Sequence, residues 1–109
     1  MRNLLSALIP VALVSVAAPA QAKELPANDR YVCSWGAGTA ARAQELKLSG
    51  VSLYAARKKI QTYTFNKSWM RMMALGITEQ TYDSPSRFKP AAVRESFYKD
   101  CVRYKMAHK

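Results

Sequence analysis

Small and apolar side chains recur at helical spacing along the segment 30–48. They line one side of an ideal helix, while Arg42 and Glu45 lie opposite. The residues on the apolar side are Val32, Cys33, Gly36, Ala37, Ala40, Ala43 and Leu48. Asn28 and Asp29 come just before this pattern, and both residue types cap helices well. The spacing predicts a first helix near 30–48, capped by one of these two side chains.

Two shorter helices are predicted in the middle of the chain. Ser49-Gly50 interrupts the first pattern, and Ser52 then offers a hydroxyl that can cap a second helix. The apolar side of that helix consists of Leu53, Ala56, Ile60 and Tyr63. A third helix is predicted from position 66 or 67 to 75, with Gly76 as its left-handed terminator. Positions 78–86 contain strong turn residues and are expected to form a loop.

The last segment has the pattern of a fourth helix. Pro90 suits its first turn, where a missing N–H group has no cost. An apolar stripe follows, formed by Val93, Phe97, Cys101 and Tyr104. The segment 62–65 (TYTF) has a strand-like pattern and is expected to end the second helix early. The four amphipathic segments together predict an all-α domain, a small bundle of about four helices.

The beginning of the chain has the pattern of a secretory signal peptide. A positive start precedes an apolar stretch at 4–16, and small residues at 20–22 suit a signal peptidase. A membrane anchor is the alternative, but the stretch contains prolines and is marginally short for a bilayer. The expected organisation is a signal peptide at 1–22, a flexible lead-in at 23–29 and a helical domain at 30–109. The mature protein is expected to be periplasmic or secreted, without a membrane-spanning helix.

Export makes Cys33 and Cys101 a candidate disulfide, because the compartment is oxidising and the number of cysteines is even. This bond would link the first helix to the last. A free reactive thiol or half of a metal site is the alternative. Neither cysteine has another Cys or a His within four positions, so the sequence offers no local support for a metal site.

The charge balance points to an anionic partner. The chain has 17 Lys and Arg against 7 Asp and Glu, a formal net charge of +10 that becomes +9 without Arg2. The basic residues are spread over several segments and not gathered in one stripe, so we expect no nucleic-acid binding. A net positive field favours an acidic protein partner or an anionic envelope surface.

Residues suited to catalysis are scarce. The only histidine, His108, lies next to the C-terminus, where chains usually fray. Glu79 and Asp83 are four positions apart, but they flank the predicted turn and do not indicate a glycosidase pair. We therefore expect no enzyme activity, and no cofactor or metal.

The run Trp69-Met70-Arg71-Met72-Met73 is the most unusual cluster. Three interpretations stay open: adaptable core filling, a flexible partner-binding surface, or a Cu(I) site. Copper is disfavoured because Met70 and Met72 lie about 160° apart around a helix. As a binding surface, the cluster would act with basic and aromatic residues of the second helix. The candidate partner-binding residues are Tyr54, Arg57, Lys58, Trp69, Met70 and Arg71.

The sequence has a recognisable layout with three features. These are an early helix that contains Cys33, the break at Ser49-Gly50, and the late segment 97–104 (FYKDCVRY). This layout resembles the small periplasmic helical immunity proteins that protect bacteria against type VI secreted peptidoglycan amidases. The resemblance implies an all-helical, dimeric domain that plugs the active-site cleft of an effector enzyme. It covers the scaffold only, so it carries no functional residue to this chain.

Taken together, these patterns predict an exported, non-catalytic binding protein. The first hypothesis is a protein-interaction module of the inhibitor, immunity or adaptor type. The alternative is a cationic envelope-associated protein that binds anionic lipid or lipopolysaccharide surfaces, which predicts release as salt screens the charges.

Overall fold

The computed structural model describes residues 25–108. Within them the chain forms four α-helices and no β-strand. The helices are α1 (Ala27–Leu48), α2 (Leu53–Gln61), α3 (Ser68–Asp83) and α4 (Pro90–Ala107). The predicted all-α fold is thereby confirmed. The predicted signal peptide at 1–22 lies outside the described residues.

Helix α1 is the centre of the fold, because each of the other three helices packs against it. Its small residues Gly36, Ala37 and Ala40 are buried, so neighbouring helices approach its backbone closely. Helices α2 and α3 also pack on one another, whereas α4 contacts α1 alone among the described helices. The domain is thus a central helix that carries an α2–α3 hairpin and, separately, α4.

Helix α1 begins at Ala27, three residues before the predicted start. Its N-cap is Pro26, whose carbonyl accepts from the Arg30 amide at 3.0 Å, and no side chain caps the helix. The prediction that Asn28 or Asp29 caps α1 is therefore wrong, since both lie inside the first turn. There the Asp29 carboxylate interacts favourably with the helix dipole. Residues 27–29 are helical, so the predicted flexible lead-in is wrong for them.

Helix α2 begins as predicted. The Ser52 hydroxyl accepts from the Ala55 amide at 3.1 Å, which satisfies one free N–H group of the first turn. Before it, Gly50 has a φ of +87°, a backbone conformation that favours glycine and reverses the chain after α1. Ala56 and Ile60 are the buried residues of α2, in agreement with the predicted stripe.

Helix α3 continues to Asp83, so the predicted terminator at Gly76 and the predicted loop over 78–83 are wrong. Gly76 lies inside the helix and does not have a positive φ. Glycine costs a helix interior about 1 kcal/mol relative to alanine. Burial of Ile77 and Thr78 on the same helix outweighs that cost. Lys47 of α1 also donates to the Thr81 carbonyl at 3.1 Å, which supports the last turn.

The disulfide between Cys33 and Cys101 is confirmed, with a Cα–Cα distance of 5.6 Å. It joins α1 to α4 across 68 positions. Pro90 occupies the first turn of α4, as predicted. No residue of α4 is fully buried, and Tyr104 of the predicted apolar stripe is 60% exposed. Helix α4 therefore lies on the surface of α1 and does not complete an enclosed bundle.

Two polar side chains fix the connections between helices. Gln44 of α1 is fully buried, and its amide donates to the carbonyls of Ser86 (3.1 Å) and Phe88 (2.8 Å) in the α3–α4 connection. Tyr82 donates its hydroxyl to the Val51 carbonyl at 2.8 Å in the α1–α2 connection. Burial raises the pKa of Tyr82, so its phenol stays protonated and able to donate.

Candidate partner-binding surface

Helices α2 and α3 form an antiparallel hairpin. Arg57 of α2 makes an ion pair with Glu79 of α3, and Arg71 near the start of α3 donates to the Gln61 carbonyl at the end of α2. These contacts fix both ends of the hairpin. Its interior contains Ile60, so the exposed residues of the hairpin are carried on a rigid support.

The predicted binding residues of α2 have two different environments. Tyr54 is 72% exposed, and the Lys58 ammonium lies 5.4 Å from the centroid of its ring. Arg57 is half-buried, and its guanidinium forms an ion pair with the Glu79 carboxylate. Tyr54 and Lys58 are therefore available to a partner, whereas Arg57 is used to hold α2 against α3. Glu79, predicted beside a turn, lies within α3 instead.

The Trp69–Met73 cluster is split by the helix. Met70 is only 2% exposed and belongs to the core, so it cannot form part of a binding surface. Trp69 is 41% exposed, Met72 is 77% exposed, and Arg71 is also exposed. The core interpretation thus applies to Met70, whereas Trp69, Arg71 and Met72 lie at the surface. The thioethers of Met70 and Met72 point to different environments and do not converge.

Two aromatic residues that the sequence analysis did not single out lie beside the candidate residues of α3. Trp35 of α1 lies edge-on to Trp69 at 5.7 Å and to Phe65 at 6.3 Å between ring centroids. The Arg71 guanidinium lies 5.1 Å from the centroid of Phe65. Tyr63 is tilted against Phe65 at 6.5 Å. An aromatic cluster thus connects α1, the α2–α3 connection and the first turn of α3.

A cavity of about 360 Å³ opens beside this cluster. Its base contains the fully buried Ile60 and Ala74, and its walls include Trp35 and Phe65. At its edge lies Arg42 of α1. The cavity therefore combines an apolar base, aromatic walls and one cationic group.

Two hydrogen bonds fix the Arg42 side chain. Its Nε donates to the Tyr63 hydroxyl at 3.1 Å, and its Nη1 donates to the Glu45 carboxylate at 2.6 Å. The bond to Tyr63, followed by the bond to Glu45, raises the pKa of Arg42 further above its usual value. The guanidinium is thus charged and held at the cavity edge.

Acidic residues are absent from the whole sequence segment 46–78, a run of 33 residues. Its six basic residues are Lys47, Arg57, Lys58, Lys59, Lys67 and Arg71. Lys58, Lys59 and Lys67 are exposed and form no ion pair with a carboxylate within residues 25–108. We use the term α2–α3 surface for Tyr54, Lys58, Lys59, Phe65, Lys67, Trp69 and Arg71.

Helix α4 provides a contrast, because its charges are mostly balanced locally. Lys99 lies 3.3 Å from Glu95, and Arg103 lies 2.9 Å from Asp100. Such pairs reduce the positive potential that an approaching anion meets. The α2–α3 surface instead combines exposed aromatic rings with Lys58, Lys59 and Lys67, which have no carboxylate partner within residues 25–108.

The residues considered for catalysis have structural contacts. Glu79 pairs with Arg57, and His108 stacks on Tyr104 with ring centroids 4.0 Å apart. Within residues 25–108, no three His, Cys, Asp or Glu side chains form a group that could hold a metal ion.

None of the helices in the described part of the chain is long and apolar enough to cross a bilayer. Comparison of the chain with protein-family models, with curated proteins and with solved structures finds no match. The geometry and charge of the α2–α3 surface are therefore the basis for a functional proposal.

Proposed function

We propose that this protein is an exported, non-catalytic binding protein that recognises an acidic segment of a partner protein through the α2–α3 surface. One observation carries the proposal: exposed aromatic rings and unpaired cations share a segment, 46–78, that contains no acidic residue. The role would be of the inhibitor, immunity or adaptor type, and the immunity role is the one that the resemblance of the scaffold implies.

The composition of the surface suits protein recognition. Tyrosine, tryptophan and arginine are enriched at protein interfaces, where rigid rings supply contact area at low entropic cost. Tyr54 and Trp69 supply such rings here. The neighbouring cations attract an acidic partner over long range and orient it before contact. Charge thus supports the rate of association, and the aromatic rings support the lifetime of the complex.

Charge reversal on α2 tests the proposal. We expect the protein, immobilised and exposed to an envelope extract of its host at moderate salt, to retain an acidic protein that mass spectrometry identifies. The double variant Lys58→Glu/Lys59→Glu is expected to retain about tenfold less, because like charges then repel the partner. The matched control is Lys99→Glu/Arg103→Glu, which changes the net charge equally on α4 and is expected to retain the partner.

Two results would count against this function. Equal loss in both double variants would show that net charge alone governs binding. The second result has two parts: no protein of the envelope extract is retained, and all variants bind anionic phosphatidylglycerol vesicles in proportion to their net charge. It would favour the cationic envelope-associated alternative.

A further inference from the structure

We propose that the cavity between α1 and the α2–α3 connection is an anchor pocket that receives one large apolar side chain of the acidic partner segment. Its lining includes Trp35, Thr39, Arg42, Ile60, Tyr63 and Phe65. The anchor side chain is flanked in the partner by a carboxylate that binds the Arg42 guanidinium. This inference rests on the proposed function and adds the chemistry of the bound segment.

The size and lining of the anchor pocket suit an apolar side chain. Its volume of about 360 Å³ lies in the lower part of the range of about 300–1,000 Å³ that is typical of binding pockets. Ile60 and Ala74 close its base, and both are almost completely inaccessible to solvent in the free protein. Because this base is already shielded from solvent, an inserted Leu or Phe would exclude water from the half-buried rings of Trp35 and Phe65 that form the walls. Apolar anchors in such pockets dominate the binding energy of many interfaces.

Arg42 gives the anchor pocket its preference for a carboxylate. A guanidinium carries five N–H donors, of which Tyr63 and Glu45 each accept one here. Further donors are therefore available to a carboxylate of the partner, and charge-assisted bonds of this kind are among the strongest in proteins. The Glu45 carboxylate shares this edge, so the partner carboxylate must add to it or displace it. The hydrogen bond that Arg42 Nε donates to the Tyr63 hydroxyl keeps the guanidinium in place in either case.

A protein segment is a better occupant than a lipid surface for a geometric reason. Anionic headgroups would interact with the exposed lysines through charge and would not require a closed apolar base beside a fixed guanidinium. The anchor pocket instead pairs one apolar contact with one directional ionic contact, as adjacent residues of a peptide do. Binding through it must then depend on the identity of a single side chain.

The chain contains a direct reporter of this event. It has two tryptophans, Trp35 and Trp69, and both belong to the aromatic cluster beside the anchor pocket. Occupation of the pocket changes the environment of Trp35, which lines it. Intrinsic fluorescence and the two indole N–H signals in NMR spectra therefore report binding without a label.

Two synthetic peptides of equal charge provide the test, Asp-Glu-Leu-Glu-Asp and Asp-Glu-Ala-Glu-Asp with blocked ends. We expect the leucine peptide to bind the whole purified protein about tenfold more tightly, from the additional apolar area that it buries. We expect both affinities to fall as salt rises. The indole signal of Trp35 is expected to shift more with the leucine peptide than with the alanine peptide.

Two arginine variants assign the effect to the pocket edge. Arg42→Gln is expected to weaken binding of the leucine peptide about fivefold or more through loss of a charge-assisted hydrogen bond. Arg103→Gln is the matched control, because Arg103 is likewise paired three positions along its helix, with Asp100. Its affinity for the peptide is expected to stay within twofold of the unchanged protein.

The outcomes separate this inference from the proposed function. Equal affinity for the two peptides, or no binding of either, would overturn the anchor pocket. In both cases the charge-reversal variants of α2 still decide whether an acidic protein is recognised. If Arg42→Gln and Arg103→Gln weaken binding of the leucine peptide equally, the specific role of Arg42 is overturned. The net positive charge of the protein would then be what attracts the peptide.

Discussion

Replacement of Cys33 and Cys101 together by alanine is expected to lower the free energy of unfolding by about 4 kcal/mol. The disulfide closes a loop across 68 positions, and its loss allows the unfolded chain many more conformations. Helix α4 packs on α1 alone among the described helices, and none of its residues is fully buried, so the noncovalent contacts that remain do not replace the lost covalent link. Urea denaturation followed by circular dichroism measures the difference.

The ion pairs of α4 do not compensate for the disulfide. Those of Lys99 and Arg103 lie within α4, and only Lys105 reaches another described helix, 3.8 Å from Asp29 of α1. Hydrogen exchange in the double variant is therefore expected to accelerate in α4 before α2 and α3. The wild-type protein with its disulfide reduced is the control for the substitution itself. Its free energy of unfolding should match that of the double variant. A loss below about 1 kcal/mol in both samples would contradict this account of α4.

Gly36→Ala is expected to lower the free energy of unfolding by about 1–3 kcal/mol, the usual cost of overpacking a close contact. A Cβ atom on Gly36 would lie 2.8 Å from Cε1 of Phe97, a distance that requires the ring or helix α4 to move. This ring packs directly over the α1 backbone, so the substitution separates α1 from α4. Thermal and urea denaturation both measure the effect.

Gly76→Ala is the matched control for this prediction. Gly76 also lies inside a helix, but a Cβ atom there meets nothing within 4 Å. We expect this variant to be more stable than the wild type by about 0.5–1 kcal/mol, because alanine favours the helical backbone. No effect of Gly36→Ala would show that the packing of Phe97 on α1 is not as described, and destabilisation by Gly76→Ala would show that the space beside Gly76 is not open.

Features of the fold that depend on neighbouring residues could be predicted from the sequence. The Ser52 cap and the small residues of α1 are local signals. The disulfide spans 68 positions, and its prediction rests instead on an even cysteine number and on the expectation that the chain is exported. The end of α3 could not be predicted, because local propensity at Gly76 opposes it. Burial of Ile77 against distant parts of the chain decides the outcome.

The binding surface shows the same division between local and distant signals. The candidate binding residues Tyr54 and Trp69 are exposed, whereas the candidate Met70 is buried, which agrees with the core interpretation that the sequence left open for its cluster. Trp35 and Phe65 were missed, since only the packing of α1 against the α2–α3 connection brings them together. The absence of acidic residues from the segment 46–78 was the sequence signal that could have identified this region.

Photocrosslinking in the native host tests most directly whether the α2–α3 surface meets the partner. A benzoylphenylalanine residue introduced at Tyr54, which is 72% exposed, is compared with one at Tyr104 of α4, which is 60% exposed. The two positions are similar in chemistry and accessibility and differ in the surface that they report. We predict a discrete protein adduct from the position of Tyr54 and none from that of Tyr104. An adduct from Tyr104 with none from Tyr54 would contradict the assignment.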